Sequence, residues 1–173
     1  MDEKNLIFFK TKSLGSAYNI ANLLAKSGFS LLETFPIGGG GHLLMEYKNS
    51  PVAPIPQFDE EITSEIVGSQ VVLNCPNSIY KAYLSLENFP VQDHLLVLDF
   101  EFLGEAFKLA EGLVKRGFGL VDIRLMRGIS SHCYLIFTSE SIARLRDAHK
   151  ELKALGHRCQ LLEDLHPDLK QIL

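Results

Sequence analysis

Apolar and polar positions along this chain follow two alternating patterns, and the whole succession occurs twice. Short apolar runs suited to strands stand at residues 6–9, 29–35 and 42–47. Between the first two, Ala17, Ala21 and Leu24 recur at three- and four-residue spacing, which marks one face of a helix. Gly28 follows Lys26 by two residues and suits the end of that helix. The same order returns with a strand at 95–100, a helical face at Ala106, Ala110 and Leu113, Gly117, and strands at 118–124 and 132–137.

The recurrence is a sequence repeat. Residues 14–31 align with 103–120 at a constant offset of 89 without a gap. Nine positions are identical: Leu14/Leu103, Gly15/Gly104, Ala17/Ala106, Ala21/Ala110, Leu24/Leu113, Lys26/Lys115, Gly28/Gly117, Phe29/Phe118 and Leu31/Leu120. The second copy continues into an amphipathic helix over 141–155, capped by Ser139 or Ser141 and ended by Gly156. A strand at 158–162 and a short helix from Pro167 follow. In the first copy, Pro51, Pro54 and Pro56 forbid the matching helix. A helical remnant is expected over 59–67, a strand at 71–73, a short helix near 79–86 and a linker over 87–94.

Each module thus has the order β-α-β-β-α-β. The expected fold is α+β: two tandem ferredoxin-like modules, at 1–88 and 89–173, each a four-stranded antiparallel sheet with helices on one face.

Composition narrows the function. A net charge of −4 and the absence of any basic run disfavour phosphate-driven nucleic-acid binding. No apolar stretch approaches the roughly 18–20 residues that span a bilayer, and the polar start MDEKN has no signal-peptide pattern. A cytoplasmic protein is expected. Cys75, Cys133 and Cys159 form no CxxC and lie in or beside apolar runs, as buried free thiols do. No motif pairs a nucleophile with a base and no metal signature occurs, so neither catalysis nor a cofactor or metal is expected. Gly38–Gly41 lie between two strands rather than between a strand and a helix, which argues for a hairpin or loop and against a phosphate cradle.

The segment Thr11-Lys-Ser-Leu-Gly-Ser-Ala17, with Ala21, Lys26-Ser27 and Ile37-Gly-Gly-Gly40, resembles the bacterial microcompartment (BMC) shell-protein domain. The tail from His166 to Leu173 resembles the end of such domains, and the module length agrees. The resemblance implies a tandem-domain shell protein: a homotrimer whose six modules imitate a hexamer, in a microcompartment shell that other shell proteins can share. It further implies a central pore for small metabolites. Ile37, Gly38, Gly39, Gly40, Gly41 and His42 match the pore loop, and Arg127, Gly128, Ile129, Ser130, Ser131 and His132 take its place in the second copy. Lys26 and Lys115 match a lysine at tile edges. Pro36 stands where the family has a lysine, and no arginine precedes His166.

In such a ring His42 and His132 could form six imidazoles near the axis, although capping of a strand end is the plainer role. Arg124 and Arg127 would make the pore positive. The alternative from a different class is a regulatory protein resembling the ACT type, binding a small molecule between modules near Gly15 and Gly104.

Overall fold

The computed structural model describes residues 3–47, 57–125 and 132–172. The first half comprises β1 (Glu3–Thr11), α1 (Leu14–Lys26), β2 (Phe29–Ile37), β3 (Gly40–Tyr47), α2 (Glu60–Glu65), β4 (Ile66–Pro76) and α3 (Asn77–Tyr83). The second comprises β5 (Leu95–Phe100), α4 (Leu103–Lys115), β6 (Gly119–Leu125), β7 (Cys133–Thr138), α5 (Ile142–Ala154), β8 (Arg158–Leu162) and α6 (Pro167–Ile172).

Two four-stranded sheets result, ordered β2-β3-β1-β4 and β6-β7-β5-β8, with every neighbouring pair antiparallel. This is the ferredoxin-like plan, twice. The copies agree in fine detail. The β2–β3 ladder shifts register between Leu31 and Glu33, and the β6–β7 ladder shifts between Leu120 and Asp122, 89 residues on.

Local chemistry accounts for the helix ends. The Ser13 hydroxyl accepts from the Ser16 N–H at 3.1 Å and caps α1. Gly28 and Gly117, at φ +91° and +82°, take the left-handed conformation that ends α1 and α4. Ser141 is the N-cap residue of α5, and its own N–H donates to the Ser139 hydroxyl at 3.2 Å.

Two expectations need correction. The helical remnant stops at Glu65, because Ile66 already pairs with Thr11 as the start of β4. That strand runs to Pro76 rather than covering 71–73 alone, since the whole length of β1 is available as its partner. Residues 87–94 carry no regular element but are tied down: Phe89 N–H donates to the Leu120 carbonyl at 3.1 Å, and Gln92 N–H to the Thr138 hydroxyl at 3.2 Å.

The sheets are joined by one core. Leu6 and Phe8 point to one face of β1, Ile7 and Phe9 to the other, as strand alternation requires. Ile7 and Phe9 pack with Ala17, Ile20 and Leu24 of α1. Leu6 and Phe8 belong to a larger cluster that also holds Phe107 of α4 and Leu98, Leu135 and Phe137 of the second sheet. Helix α4 is therefore buried twice. Ala106, Ala110 and Leu113 face its own sheet, whereas Gly104 and Phe107 meet the back of the first sheet. The Phe8 and Phe107 rings lie 4.8 Å apart. A Cβ on Gly104 would sit 2.6 Å from Gln70 Cβ and 2.9 Å from Phe8 Cβ, so only glycine allows this approach. Helix α3 completes the junction, packing on β6 and α4.

The three cysteines are buried and free. Burial pushes the Cys75 and Cys133 thiols up to about 12, which leaves them unreactive near neutral pH.

Candidate functional site

The glycines that resemble a pore loop form a tighter structure than a loop. Ile37 pairs directly with Gly40, so only Gly38 and Gly39 make the turn, at φ +49° and +85°. Two central residues with positive φ define the hairpin turn whose twist matches the strands it joins. Gly40, Gly41 and His42 therefore belong to β3 and not to a flexible loop.

These last two glycines answer to packing. A Cβ on Gly40 would fall 2.3 Å from the Thr11 carbonyl oxygen. One on Gly41 would fall 2.8 Å from Ala17 Cβ, the Ser13 carbonyl oxygen and Thr11 Oγ1 alike. The start of α1 presses against the hairpin here, and Thr11 Oγ1 donates to the Ser13 carbonyl oxygen at 2.7 Å. Two substitutions separate the roles. Gly38→Asn suits the turn and is expected to leave the thermal midpoint within a few degrees of wild type. Gly40→Ala is expected to cost about 1–3 kcal/mol, because the obstacle is backbone and cannot rotate away. Thermal unfolding of both variants measures the difference.

His42 occupies the interior of the chain. It is 3% exposed, stacks on Phe35 at 5.6 Å and meets Phe102 edge-on at 5.8 Å. Its Nε2 is buried with no hydrogen-bond partner. Burial first, and the charge of Lys10 second, lower its pKa from 6.5 to about 4. The imidazole is neutral at pH 7 and faces aromatic rings, an environment unlike a water-lined ring of histidines.

The pairing of His42 with His132 across the repeat also changes. Lys10 pairs with His42 and Asp99 with Tyr134, so the strand ladders place Tyr134 at the position of His42. His132 precedes β7, half-buried, near Asp99, Glu105 and His157. The second hairpin connection is longer than the first, which shifts the two copies out of simple offset after it. Arg127, Gly128, Ile129, Ser130 and Ser131 lie outside the described residues. Arg124 is matched by Asp122 at 3.0 Å, and the Tyr134 hydroxyl donates to the same carboxylate at 3.2 Å.

The helix-end lysines differ from each other. Lys26 is exposed and makes no ion pair among the described residues. Lys115 is held 2.6 Å from Glu111, which also binds Lys108 at 2.7 Å. Burial alone would raise the Glu111 pKa, but the hydrogen bonds and charges of the two lysines outweigh it and hold the carboxyl below its usual value. Sequence reasoning missed Glu111 as a charge centre; its i−3 and i+4 lysines are the signal that could have shown it.

Among the described residues, no three His, Cys, Asp or Glu side chains are placed to hold a metal ion. No helix among them is long and apolar enough to cross a membrane.

No family model matches this sequence, and no curated protein matches it significantly. Solved structures do. The crystal structure of a microcompartments protein from Desulfitobacterium hafniense DCB superposes with a TM-score of 0.73 at 15% identity, covering 98% of this chain and 99% of that one. Two others match with lower scores. One is described as a glycine cleavage system transcriptional repressor (TM-score 0.32, 9% identity, 94% and 98% covered). The other is an unknown protein from Galdieria sulphuraria (0.30, 12%, 94% and 99%). Scores that low carry no argument about this chain. The tandem arrangement of two ferredoxin-like modules seen here is, from end to end, the fold of a bacterial microcompartment protein.

Proposed function

We propose that this chain is a structural component of a bacterial microcompartment shell, acting in the cytoplasm as a homotrimer whose six modules surround a central opening for small metabolites. The observation that carries this reading is the end-to-end likeness to the microcompartments protein, which covers nearly all of both chains. The packing inside the chain adds support. The two modules meet through different faces, the back of the first sheet against α4 of the second module. A contact between unlike faces is heterologous, and it closes into a six-place ring when each step turns by about 60°.

In this reading the Gly38–Gly39 turn of each first module lies beside the opening, repeated around the axis. The mechanism is passive: packing fixes the aperture, and charges around the opening set preference among metabolites. His42 has no part in it, since its ring packs on Phe35 and Phe102. Lys26, exposed at the end of α1, is the lysine available for contacts between tiles.

Native mass spectrometry tests the proposal. Three 19.4 kDa chains give a species of about 58 kDa. A chain that stays monomeric or dimeric at micromolar concentration would overturn it.

A further inference from the structure

The end of the second sheet, next to the start of α4, holds a cavity of about 200 Å³. Three carboxylates (Asp99, Glu101 and Glu105), two imidazoles (His132 and His157) and the Arg158 guanidinium line it. None of these six side chains makes a hydrogen bond or an ion pair with another described residue. Elsewhere in the second module the carboxylates of Glu111, Asp122, Glu151 and Glu163 each have a basic partner. The unpaired acids and imidazoles are concentrated at this one space.

The cluster is confined to the second module. At the 89-residue offset, Lys10, Lys12 and Ser16 stand where the second copy has Asp99, Glu101 and Glu105. The strand ladders match Gly68 to Arg158. They also match Gly41 to Cys133, which puts His132 at the place of Gly40. Two acids replace two lysines, and side chains replace two glycines. The fold requires neither change, because the first module builds the same strands and helix with the opposite charges.

Electrostatics decide what the space takes. Three carboxylates outweigh one guanidinium and the positive end of α4, which amounts to roughly half a charge. Asp99 and Arg158 sit opposite each other on the β5–β8 ladder and offset each other first, which leaves Glu101 and Glu105. A neutral imidazole adds one acceptor nitrogen. The His157 ring is set against Phe100 at 5.5 Å. Among the described residues no three of these groups are placed to hold a metal ion. Acceptors spread around a space of this size suit an organic cation with several N–H donors better than a bare ion.

We infer that this cavity binds a small organic diammonium ion, held by Glu101 and Glu105, with His132 and His157 accepting from the same ammonium groups. Lys10 Nζ donates to the Glu101 carbonyl oxygen at 3.2 Å, and Lys10 pairs with His42. The cavity therefore borders the base of the Gly38–Gly39 hairpin. The inference rests on the proposed function only for placing the bound amine beside the opening, since residues of one chain make the cavity.

Calorimetric titration of the full chain with 1,4-diaminobutane at about pH 8 tests the inference, with magnesium chloride titrated in parallel. Saturable binding at one site per chain is expected. Glu101→Gln and Glu105→Gln are each expected to weaken it about tenfold, the effect of removing one charged hydrogen-bond partner. Both positions are exposed, and circular dichroism establishes that the variants are folded. Glu140→Gln removes the same charge beyond the far end of β7 and is expected to bind as the wild type does. Absence of saturable binding would overturn the site, and so would wild-type affinity in Glu101→Gln and Glu105→Gln. Equal weakening by Glu140→Gln would trace the binding to overall charge and overturn the site too. Magnesium that binds as tightly, with the same dependence on Glu101 and Glu105, would make the cluster a counter-ion site and overturn the diammonium ligand. A monomeric chain that binds the diamine keeps this inference and loses the ring; a trimer that ignores the diamine does the reverse.

Discussion

Phe107→Ala is expected to lower the unfolding free energy by about 3–5 kcal/mol, the range for removing a fully buried phenylalanine ring. Phe107 is 0% exposed, and its ring contacts Phe8 on β1 and Tyr83 on α3 at centroid distances of 4.8 and 5.4 Å. The loss falls where the two sheets share one cluster, and the void has rigid walls: Gly104 beside it is already in contact with Gln70 and Phe8. Urea denaturation followed by circular dichroism measures the effect. The wild type is expected to unfold in one cooperative transition, because no plane through the junction avoids cutting the core. Two separate wild-type transitions, with only one moved by Phe107→Ala, would show instead that the halves are independent. Tyr18→Ala, the same position in the first copy, is expected to cost less than about 1 kcal/mol in the monomeric chain, since its side chain packs on little there.

Stability is also expected to fall in mild acid through His42. Its folded pKa, about 4, lies below the unfolded value of 6.5, so the unfolded chain takes up a proton first. The contribution of the neutral, buried ring is complete above pH 6.5. It declines as pH falls from about 6.5 to about 4 and is level below that. A separation of that size amounts to about 3 kcal/mol at the lower end of the window. His42→Phe keeps an aromatic ring between Phe35 and Phe102, removes the unpartnered Nε2 and abolishes the titration. The variant is expected to lose the decline between pH 6.5 and 4, and urea midpoints across that range give the comparison. A parallel decline in both proteins would assign the acid sensitivity of that window to groups other than His42. The depressed Glu111 pKa gives stability that is present above its unfolded value and lost as pH falls through the folded one, a lower window than that of His42.

Much of the local architecture was determined by the sequence alone. The 89-residue repeat, the spacing of Ala17, Ala21 and Leu24, and the glycines at 28 and 117 specify two helices and their ends. These signals are contained within one turn of helix or one strand, and the chain needs no distant partner to express them. The order β-α-β-β-α-β followed from the same local patterns, and with it the ferredoxin-like plan. Tertiary structure decided the rest. That α4 is covered on both sides while α1 is covered on one depends on which module lies against which, and the identical residues at Gly15 and Gly104 are silent about it. The place of His42 was decided by strand register: a longer second connection slides Tyr134 into the matching position, and burial then turns a candidate surface histidine into a core ring. The extent of β4 was likewise set by its partner, because a strand runs as long as the edge of β1 offers hydrogen bonds. Periodicity fixes what a segment becomes; the packing of one segment on another decides which of its faces remain for function.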